Sequence, residues 1–358
     1  MAHYISTAIK ISTAIKIRST HCCLMSLAWL VCWSIHSTAS AEVQVLRKGA
    51  VASTIYHIQQ GDTVVRFAPQ AGANLFSIAV DGVEYLRQPD SLEQLPGVGF
   101  GTPLLYPTPN RVKGAEFTFG GKRVAFKANS SGNFIHGLVN RHPWQIVSLT
   151  DSEESTSLRC LADFGDGKPL NDLFPFAHRL YLTITVKDRA VRWTYQVENQ
   201  SGSEAIPFGF ALHPYFVYQG ARDATFLTIP ASHWMESLKQ LPTGKLVPAT
   251  ELDFPLGQPM SLAETQFDDV FWGMQPDQPT TIDFRDAKRK VVIHASEAFT
   301  HLVVWTPDQH YFGIESQTCS TDAHNLHSAG MVEAAHLQIC PAGETRSGWV
   351  EYRFLNGQ

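Results

Sequence analysis

The chain has 358 residues and a formal net charge of −5, and its composition includes 20 prolines, 25 glycines and six cysteines. The excess of acidic residues opposes nucleic acid or an anionic membrane surface as a partner, because both carry negative charge. Prolines and glycines scattered along the whole length exclude long helices, since proline removes a backbone donor and glycine adds conformational freedom.

The first 41 residues have the order of segments that is typical of a secretory signal peptide. Residues 1–41 contain three basic and no acidic residues, an apolar run within 22–35, and Ala39-Ser40-Ala41 directly before Glu42. The alternative is an uncleaved membrane anchor, but an apolar run of about 14 residues is short for a span of about 20. We therefore predict cleavage after Ala41 and a secreted or periplasmic protein.

Removal of this leader leaves 42–358, a length that suits one large all-β domain with a sizeable core. The leader holds three positive charges and no negative one, so the remaining chain stands at −8. It keeps three cysteines, and an odd number cannot form a disulfide framework. We interpret Cys160, Cys319 and Cys340 as small buried hydrophobic residues.

Alternation of apolar and polar residues predicts β-strands along most of this domain. The clearest runs combine a period of two with β-branched and aromatic residues, at 64–67, 180–186, 191–198 and 291–294. Turn-forming residues such as Asp81-Gly82 and Gly120-Gly121 separate the runs. Two segments, 231–240 and 261–268, are predicted as a short helix or turn. The predicted fold class is all-β, with many antiparallel strands and long functional loops.

Four short segments carry the residue types that acid–base chemistry on a neutral sugar requires. In chain order they are Asn110-Arg111, His136-Gly137-Leu138, His213-Pro214-Tyr215-Phe216 and Gly313-Ile314-Glu315-Ser316-Gln317. Opening a cyclic aldose needs a base for the proton of the anomeric hydroxyl and an acid for the ring oxygen. A carboxylate with a pKa near ~4.3 and a protonated imidazole with one near ~6.5 can take these roles at neutral pH.

Each segment alone is a weak signal, because a single histidine is more often a core residue satisfied by a carbonyl. Pro214 holds His213 outside helical geometry, which suits a side chain displayed at the end of a strand. Glu315 stands in the strand-like run 311–317, where burial would raise its basicity. The alternative for Glu315 is a glutamate at a strand edge that points to solvent. The alternative for Arg111 is an arginine that caps a turn at the surface.

Together, the four segments resemble the aldose 1-epimerase (galactose mutarotase) family, and the resemblance runs from about Val43 to Phe354. It implies a large, twisted antiparallel β-sandwich of the galactose mutarotase type, with the sugar cleft on one face. It implies Glu315 as the general base and His213 as the general acid. The substrate-binding residues that it implies are Arg111, His136, Asp268, Asn110 and Gln317. The segment 318–321 departs from the family pattern, which leaves its contacts open.

Asp268 lies in Phe267-Asp268-Asp269, which resembles a family stretch whose first aspartate binds sugar hydroxyls. Asp269 is the rival, because a register slip of one residue exchanges the two faces of a strand. The mechanism needs no cofactor and no metal. His324 and His327 are interpreted as a satisfied surface pair, since no further ligand nearby has metal-ligand spacing.

Three functions remain open. The first is an aldose 1-epimerase, a carbohydrate isomerase whose partner is a small-molecule monosaccharide. The second is a hexose-6-phosphate 1-epimerase, but a phosphate would need several basic residues, and phosphorylated sugars are largely cytosolic. The third is a non-catalytic carbohydrate-binding member of the same fold, which would have lost the base. Retention of both Glu315 and His213 favours the first.

Overall fold

The structure, a computed structural model, describes residues 42–48, 51–263 and 265–357. The predicted signal peptide, residues 1–41, lies outside the described residues. Within the described ranges, no helix is long and apolar enough to cross a membrane. Elements are numbered below in chain order.

Antiparallel strands are the main secondary structure of the described chain, and they form three larger sheets. The first is a five-stranded meander of β1 (Glu42–Lys48), β2 (Val51–Gln60), β3 (Thr63–Ala68), β4 (Asn74–Val80) and β5 (Val83–Glu84). The second has nine strands, which are, from edge to edge, β11 (Gln145–Asp151), β12 (Thr156–Asp163), β13 (His178–Lys187), β14 (Ala190–Asn199), β28 (Thr345–Asn356), β24 (Arg289–Ala295), β23 (Thr280–Phe284), β18 (Thr225–Thr228) and β21 (Met260–Ser261).

The third sheet has eight strands and carries the residues on which function depends. Its order is β20 (Leu241–Pro248), β19 (His233–Leu238), β22 (Asp268–Trp272), β25 (His301–Trp305), β26 (Tyr311–Gln317), β16 (Ala211–Leu212) and β6 (Leu104–Leu105), with β17 (Tyr215–Val217) also paired to β26. Three two-stranded ribbons complete the pairing: β7 (Arg111–Val112) with β10 (Phe134–Ile135), β8 (Glu116–Phe119) with β9 (Lys122–Ala125), and β15 (Ile206–Phe208) with β27 (Gln338–Cys340).

Helices are short in the described chain. The α-helices are α1 (Pro169–Leu173), α2 (Ala323–Ser328) and α3 (Val332–Ala335). Single 3₁₀ turns occur at Pro69–Ala71, Leu92–Gln94, Lys113–Ala115, Val139–Arg141 and Ala249–Glu251. The prediction of an all-β fold is therefore confirmed.

Local sequence pattern explains the central strands but not every element. Residues of β13 and β14 alternate between buried and partly exposed positions, as their period of two predicts. The prediction of a short helix or turn at 231–240 is wrong for residues 233–238, which form β19 between β20 and β22. Met235 of β19 is buried, so its packing and its two neighbours override a weak local pattern. The segment 261–268 connects β21 to β22.

The hydrophobic core lies between the nine-stranded and eight-stranded sheets. Trp193 and Tyr352 of the former and Phe312 and Ile314 of the latter are all buried in it. The rings of Phe216 and Tyr352 meet across the layer, with centroids 5.4 Å apart. Because side chains alternate along a strand, the odd-numbered residues of β26 point away from this core. The three cysteines named above are buried, as predicted, and all three are free.

Candidate active site

His213 and Glu315 are brought together by strand register. His213 occupies the gap between β16 and β17, two short strands that both pair with β26. The pairs on either side of it are Ala211 with Gln317 and Tyr215 with Gly313. The same register places His213 opposite Glu315, and Nε2 of His213 lies 3.3 Å from Oε1 of Glu315. The base and the acid that the sequence implies are thus direct cross-strand neighbours.

The pair is buried and held from both sides. Glu315 is 3% exposed and His213 is 5% exposed. The side-chain amide of Gln317 donates to Oε2 of Glu315 at 3.1 Å. The ring of Tyr215 stacks on the imidazole of His213, with centroids 4.7 Å apart and planes at 15°. These contacts restrict both side chains, so Nε2 of His213 and Oε1 of Glu315 keep their mutual position.

Burial shifts the two pKa values in opposite directions. It raises the pKa of Glu315 to about 8, against the lowering effect of the Gln317 hydrogen bond and of the Arg111 charge. It lowers the pKa of His213 to about 4. Between these values the pair holds one proton, and burial favours its position on the carboxyl. The sequence-based expectation placed that proton on the imidazole, because it used the pKa values that the two groups have in water. Burial reverses that order.

His136 approaches the pair from a tight loop. Its backbone N–H donates to the carbonyl of Asn110 at 2.9 Å, and its φ of 72° lies in the left-handed region. Gly137 follows with a φ of 66°, and a Cβ there would lie only 2.4 Å from the carbonyl oxygen of Tyr106. Only glycine fits at that position without displacing backbone. The strained loop brings the His136 ring to 5.2 Å from that of His213, at 83°.

The state of His136 suits recognition of neutral hydroxyls. Burial, followed by the nearby His213 and the charge of Arg111, holds the pKa of His136 well below its ordinary value of 6.5. Its imidazole is therefore neutral near pH 7, with one nitrogen able to donate and the other able to accept. Nδ1 is buried and has no hydrogen-bond partner among the described residues, so a ligand hydroxyl could satisfy it.

Arg111 and Asn110 form one unit beside the pair. Nη1 of Arg111 donates to Oδ1 of Asn110 at 3.1 Å, and Asn110 is itself buried. The carbonyl of Arg111 accepts from the backbone N–H of Asp322 at 2.8 Å, which ties this segment to the chain that follows β26. Arg111 is therefore not an arginine that caps a turn at the surface.

The register of β22 places Asp268 on the face of Glu315 and turns Asp269 away. Asp268 pairs with Trp305, which pairs with Gly313, two residues before Glu315. Paired residues share a face, so Asp268 belongs to the same surface. Its Oδ2 accepts from the side-chain amide of Gln240 at 2.6 Å, whereas Asp269 accepts from the indole N–H of Trp234 at 2.8 Å.

Asn110, Arg111 and Asp268 line one cleft, whereas Glu315, His213 and His136 are not among its lining residues. The cleft is also lined by residues that sequence reasoning did not single out, among them Val270, Val303 and Thr321. Val270 and Val303 pair with each other, and Val303 pairs with Glu315. Val270 and Val303 form an apolar floor beside the Glu315–His213 pair, and only strand register, which the sequence does not display, could have revealed it.

His324 is not part of a surface pair, contrary to the sequence-based interpretation. It is buried, its Nε2 lies 3.2 Å from the carbonyl oxygen of Pro207, and its ring stacks on Phe117 with centroids 4.0 Å apart. Burial lowers the pKa of His324 to about 4. Helix α2 turns this side chain into the protein, where it packs as a neutral ring.

Comparison with known proteins gives the class to which this fold and site belong. A sequence model of the family described as aldose 1-epimerase matches residues 54–353. The chain belongs to the aldose 1-epimerase family.

Solved structures show the same fold at low sequence identity. A galactose mutarotase-like protein from Clostridium acetobutylicum is 19% identical, with a TM-score of 0.76 over 88% of this chain and 99% of its own. A galactose 1-epimerase from Lactobacillus acidophilus is 14% identical, with a TM-score of 0.73 over 89% and 100% of the two chains. An aldose epimerase homologue from C. elegans is 17% identical, with a TM-score of 0.70 over 86% and 100%. The fold is a galactose mutarotase-like β-sandwich.

Proposed function

We propose that this protein is an aldose 1-epimerase that interconverts the α and β anomers of a free hexose. The observation that carries the proposal is the buried Glu315–His213 pair, whose facing atoms are 3.3 Å apart next to a cleft that Arg111 and Asp268 line. The anomeric hydroxyl and the ring oxygen of a pyranose are bonded to the same carbon. Two adjacent proton carriers can therefore reach both oxygens of one hemiacetal.

In the proposed reaction, Glu315 accepts the proton of the anomeric hydroxyl while His213 donates a proton to the ring oxygen. The C1–O5 bond breaks, and O1 becomes the carbonyl oxygen of the open-chain aldehyde. Rotation about the C1–C2 bond presents the other face of the aldehyde. On closure, His213 takes the proton back from O5 and Glu315 returns one to O1, so the pair ends as it began.

Burial of the pair favours the ring-opened stage of this cycle. After opening, the carboxyl of Glu315 is protonated and the imidazole of His213 is neutral. This is the protonation state that the pKa values of about 8 and about 4 favour. The Arg111 charge and the Gln317 amide lower the pKa of Glu315 and so keep its ionised form within reach. These two effects therefore reduce, without removing, the free-energy gap between the two protonation states of the pair.

The remaining site residues supply hydrogen bonds to the other hydroxyls. Arg111 and the amide of Asn110 can donate, the carboxylate of Asp268 can accept, and the neutral imidazole of His136 can do both. The cationic Arg111 and the carboxylate of Asp268 offset each other's charge, so these fixed partners can orient an uncharged sugar. In the proposal His136 binds near the ring oxygen, because its ring lies against that of His213.

Polarimetry of freshly dissolved pure α-anomers tests the proposed function. The protein should accelerate the approach to anomeric equilibrium for glucose or galactose above the uncatalysed rate, with saturation as the sugar concentration rises. A panel of hexoses measured in this way also identifies the preferred sugar. The absence of acceleration for every hexose, with binding retained, would favour the non-catalytic carbohydrate-binding alternative.

Hexose 6-phosphates are the comparison substrates in the same assay. On the β8–β9 hairpin, Lys122 pairs with Glu204 at 2.6 Å and Arg123 pairs with Glu116, so both cations already have acidic partners. We expect kcat/KM for the free hexose to exceed that for its 6-phosphate by at least about tenfold, or ~1.4 kcal/mol. Equal or faster turnover of the phosphate, weakening as salt rises, would instead support a hexose-6-phosphate 1-epimerase.

We further propose that the protein acts after export, as the basic and apolar leader indicates. In a secreting bacterium, the full chain is expected to yield a mature protein that begins at Glu42, because Ala39 and Ala41 occupy the small-residue positions. N-terminal sequencing of the exported protein makes the measurement. Recovery of residues 22–35 intact in the membrane fraction would contradict cleavage and favour an anchor.

A further inference from the structure

Thr321 places a buried hydroxyl without a partner in the wall of the cleft. The residue is 1% exposed, it lines the same cleft as Arg111 and Asp268, and its Oγ1 has no hydrogen-bond partner among the described residues. A buried hydroxyl that has lost its water and gained no partner is unfavourable and uncommon. Its position in the cleft wall is explained if a ligand supplies the missing hydrogen bond.

The loop that carries Thr321 is fixed on both sides. The N–H of Ser320 donates to the carbonyl of Ala335 at 3.0 Å, and the N–H of Asp322 donates to that of Arg111 at 2.8 Å. The carbonyl of Thr321 accepts from the hydroxyl of Ser320 at 2.8 Å. These bonds hold the loop against the Arg111 segment, so the Thr321 hydroxyl has a defined place in the wall.

Location in the cleft distinguishes Thr321 from other buried threonines. Thr102 and Thr108 also have buried hydroxyls without a partner among the described residues, but neither lines the cleft. The floor next to Thr321 is formed by Val303, which pairs with Glu315, and by Val270 on the next strand. With strands about 4.8 Å apart, this floor extends about 10 Å from the reactive carboxylate, enough to support a pyranose ring.

We propose that Thr321 determines sugar specificity by hydrogen-bonding a hydroxyl on the non-reacting side of the sugar ring, beside Arg111 and Asp268. The inference rests on the proposed function and adds a contact to it. Arginine only donates and a carboxylate only accepts, whereas the threonine hydroxyl can do either. A sugar hydroxyl placed among the three could donate to Asp268 while accepting from both Arg111 and Thr321, which satisfies each group.

Thr321→Val tests the inference, because valine keeps the branched shape and removes only the hydroxyl. KM for the preferred hexose is expected to rise about fivefold to tenfold at unchanged kcat, as for a hydrogen bond made equally in ground and transition states. The melting temperature of the unliganded variant should stay the same or rise, because an unsatisfied polar group is gone. Thr102→Val is the matched control and should leave KM unchanged.

A series of monodeoxy hexoses then identifies the hydroxyl that Thr321 contacts. For the sugar that lacks this hydroxyl, wild type and Thr321→Val should have equal kcat/KM, while the other sugars keep the difference. An unchanged KM in Thr321→Val, a loss that is the same for every deoxy sugar, or a lower melting temperature would each overturn the inference.

Calorimetric titration separates failure of this inference from failure of the proposed function. A wild-type protein that does not accelerate mutarotation would refute the enzyme proposal, yet sugar binding could still be measured. Weaker binding to Thr321→Val than to wild type would then support the contact without any turnover. If every sugar bound equally to wild type and to Thr321→Val, or if no sugar bound to either protein, the inference about Thr321 would be overturned.

Discussion

Glu315→Gln and His213→Asn are each expected to lower kcat for mutarotation by a factor on the order of 10²–10⁴. Glutamine has nearly the shape of glutamate but cannot accept the proton of the anomeric hydroxyl. Asparagine retains a polar side chain but cannot carry a proton to the ring oxygen. Because the two groups act on the same hemiacetal, the double variant should lose little more than either single variant. Polarimetric rates above the uncatalysed background provide the measurement.

Two matched controls test whether the loss reflects chemistry rather than burial. Burial raises the pKa of Glu84 and lowers that of His178 to about 4, as it does for Glu315 and His213, yet their side chains hydrogen-bond to Ser77 and Tyr106 rather than to the Glu315–His213 pair. Glu84→Gln and His178→Asn should therefore keep the wild-type kcat while lowering the melting temperature. Near-wild-type kcat in folded Glu315→Gln or His213→Asn would refute the assignment of base and acid.

Much of the fold could be predicted from local pattern. The runs in β13 and β14 alternate clearly because each strand buries one face, and that period is visible in sequence. The four site segments could be found because their residue types and their order resemble the family, although each segment alone is a weak signal. The β19 strand escaped prediction because its pairing partners, β20 and β22, decide its conformation more than its own residues do.

The geometry of the site could not be predicted in the same way. His213 and Glu315 are about a hundred positions apart, and only the register of β26 against β16 and β17 makes them neighbours. The choice between Asp268 and Asp269 likewise depends on the register of β22. The protonation state of the pair follows from its burial, to which distant residues such as His136 contribute. Thr321 lies in a segment that departs from the family pattern, so resemblance carried no information about it.

We expect kcat/KM to depend on pH in a bell shape, with limbs near pH 4 and pH 8, because the Glu315–His213 pair is active only while it holds one proton. Below about pH 4 His213 also takes up a proton, so no base remains in the pair. Above about pH 8 Glu315 loses its proton, so no acid remains. Each limb involves one proton, and activity should fall about tenfold per pH unit beyond it. The two values belong to the coupled pair rather than to single residues.

Gln317→Met tests the cause of the alkaline limb. The Gln317 amide donates to Glu315 and stabilises the ionised carboxylate, so its loss should raise the pKa of the pair and move that limb to higher pH. The acid limb should move less, because this amide does not contact His213. Profiles of kcat/KM for both proteins, corrected at each pH for uncatalysed mutarotation, make the comparison. An alkaline limb that stays in place or moves to lower pH would show that another group controls it.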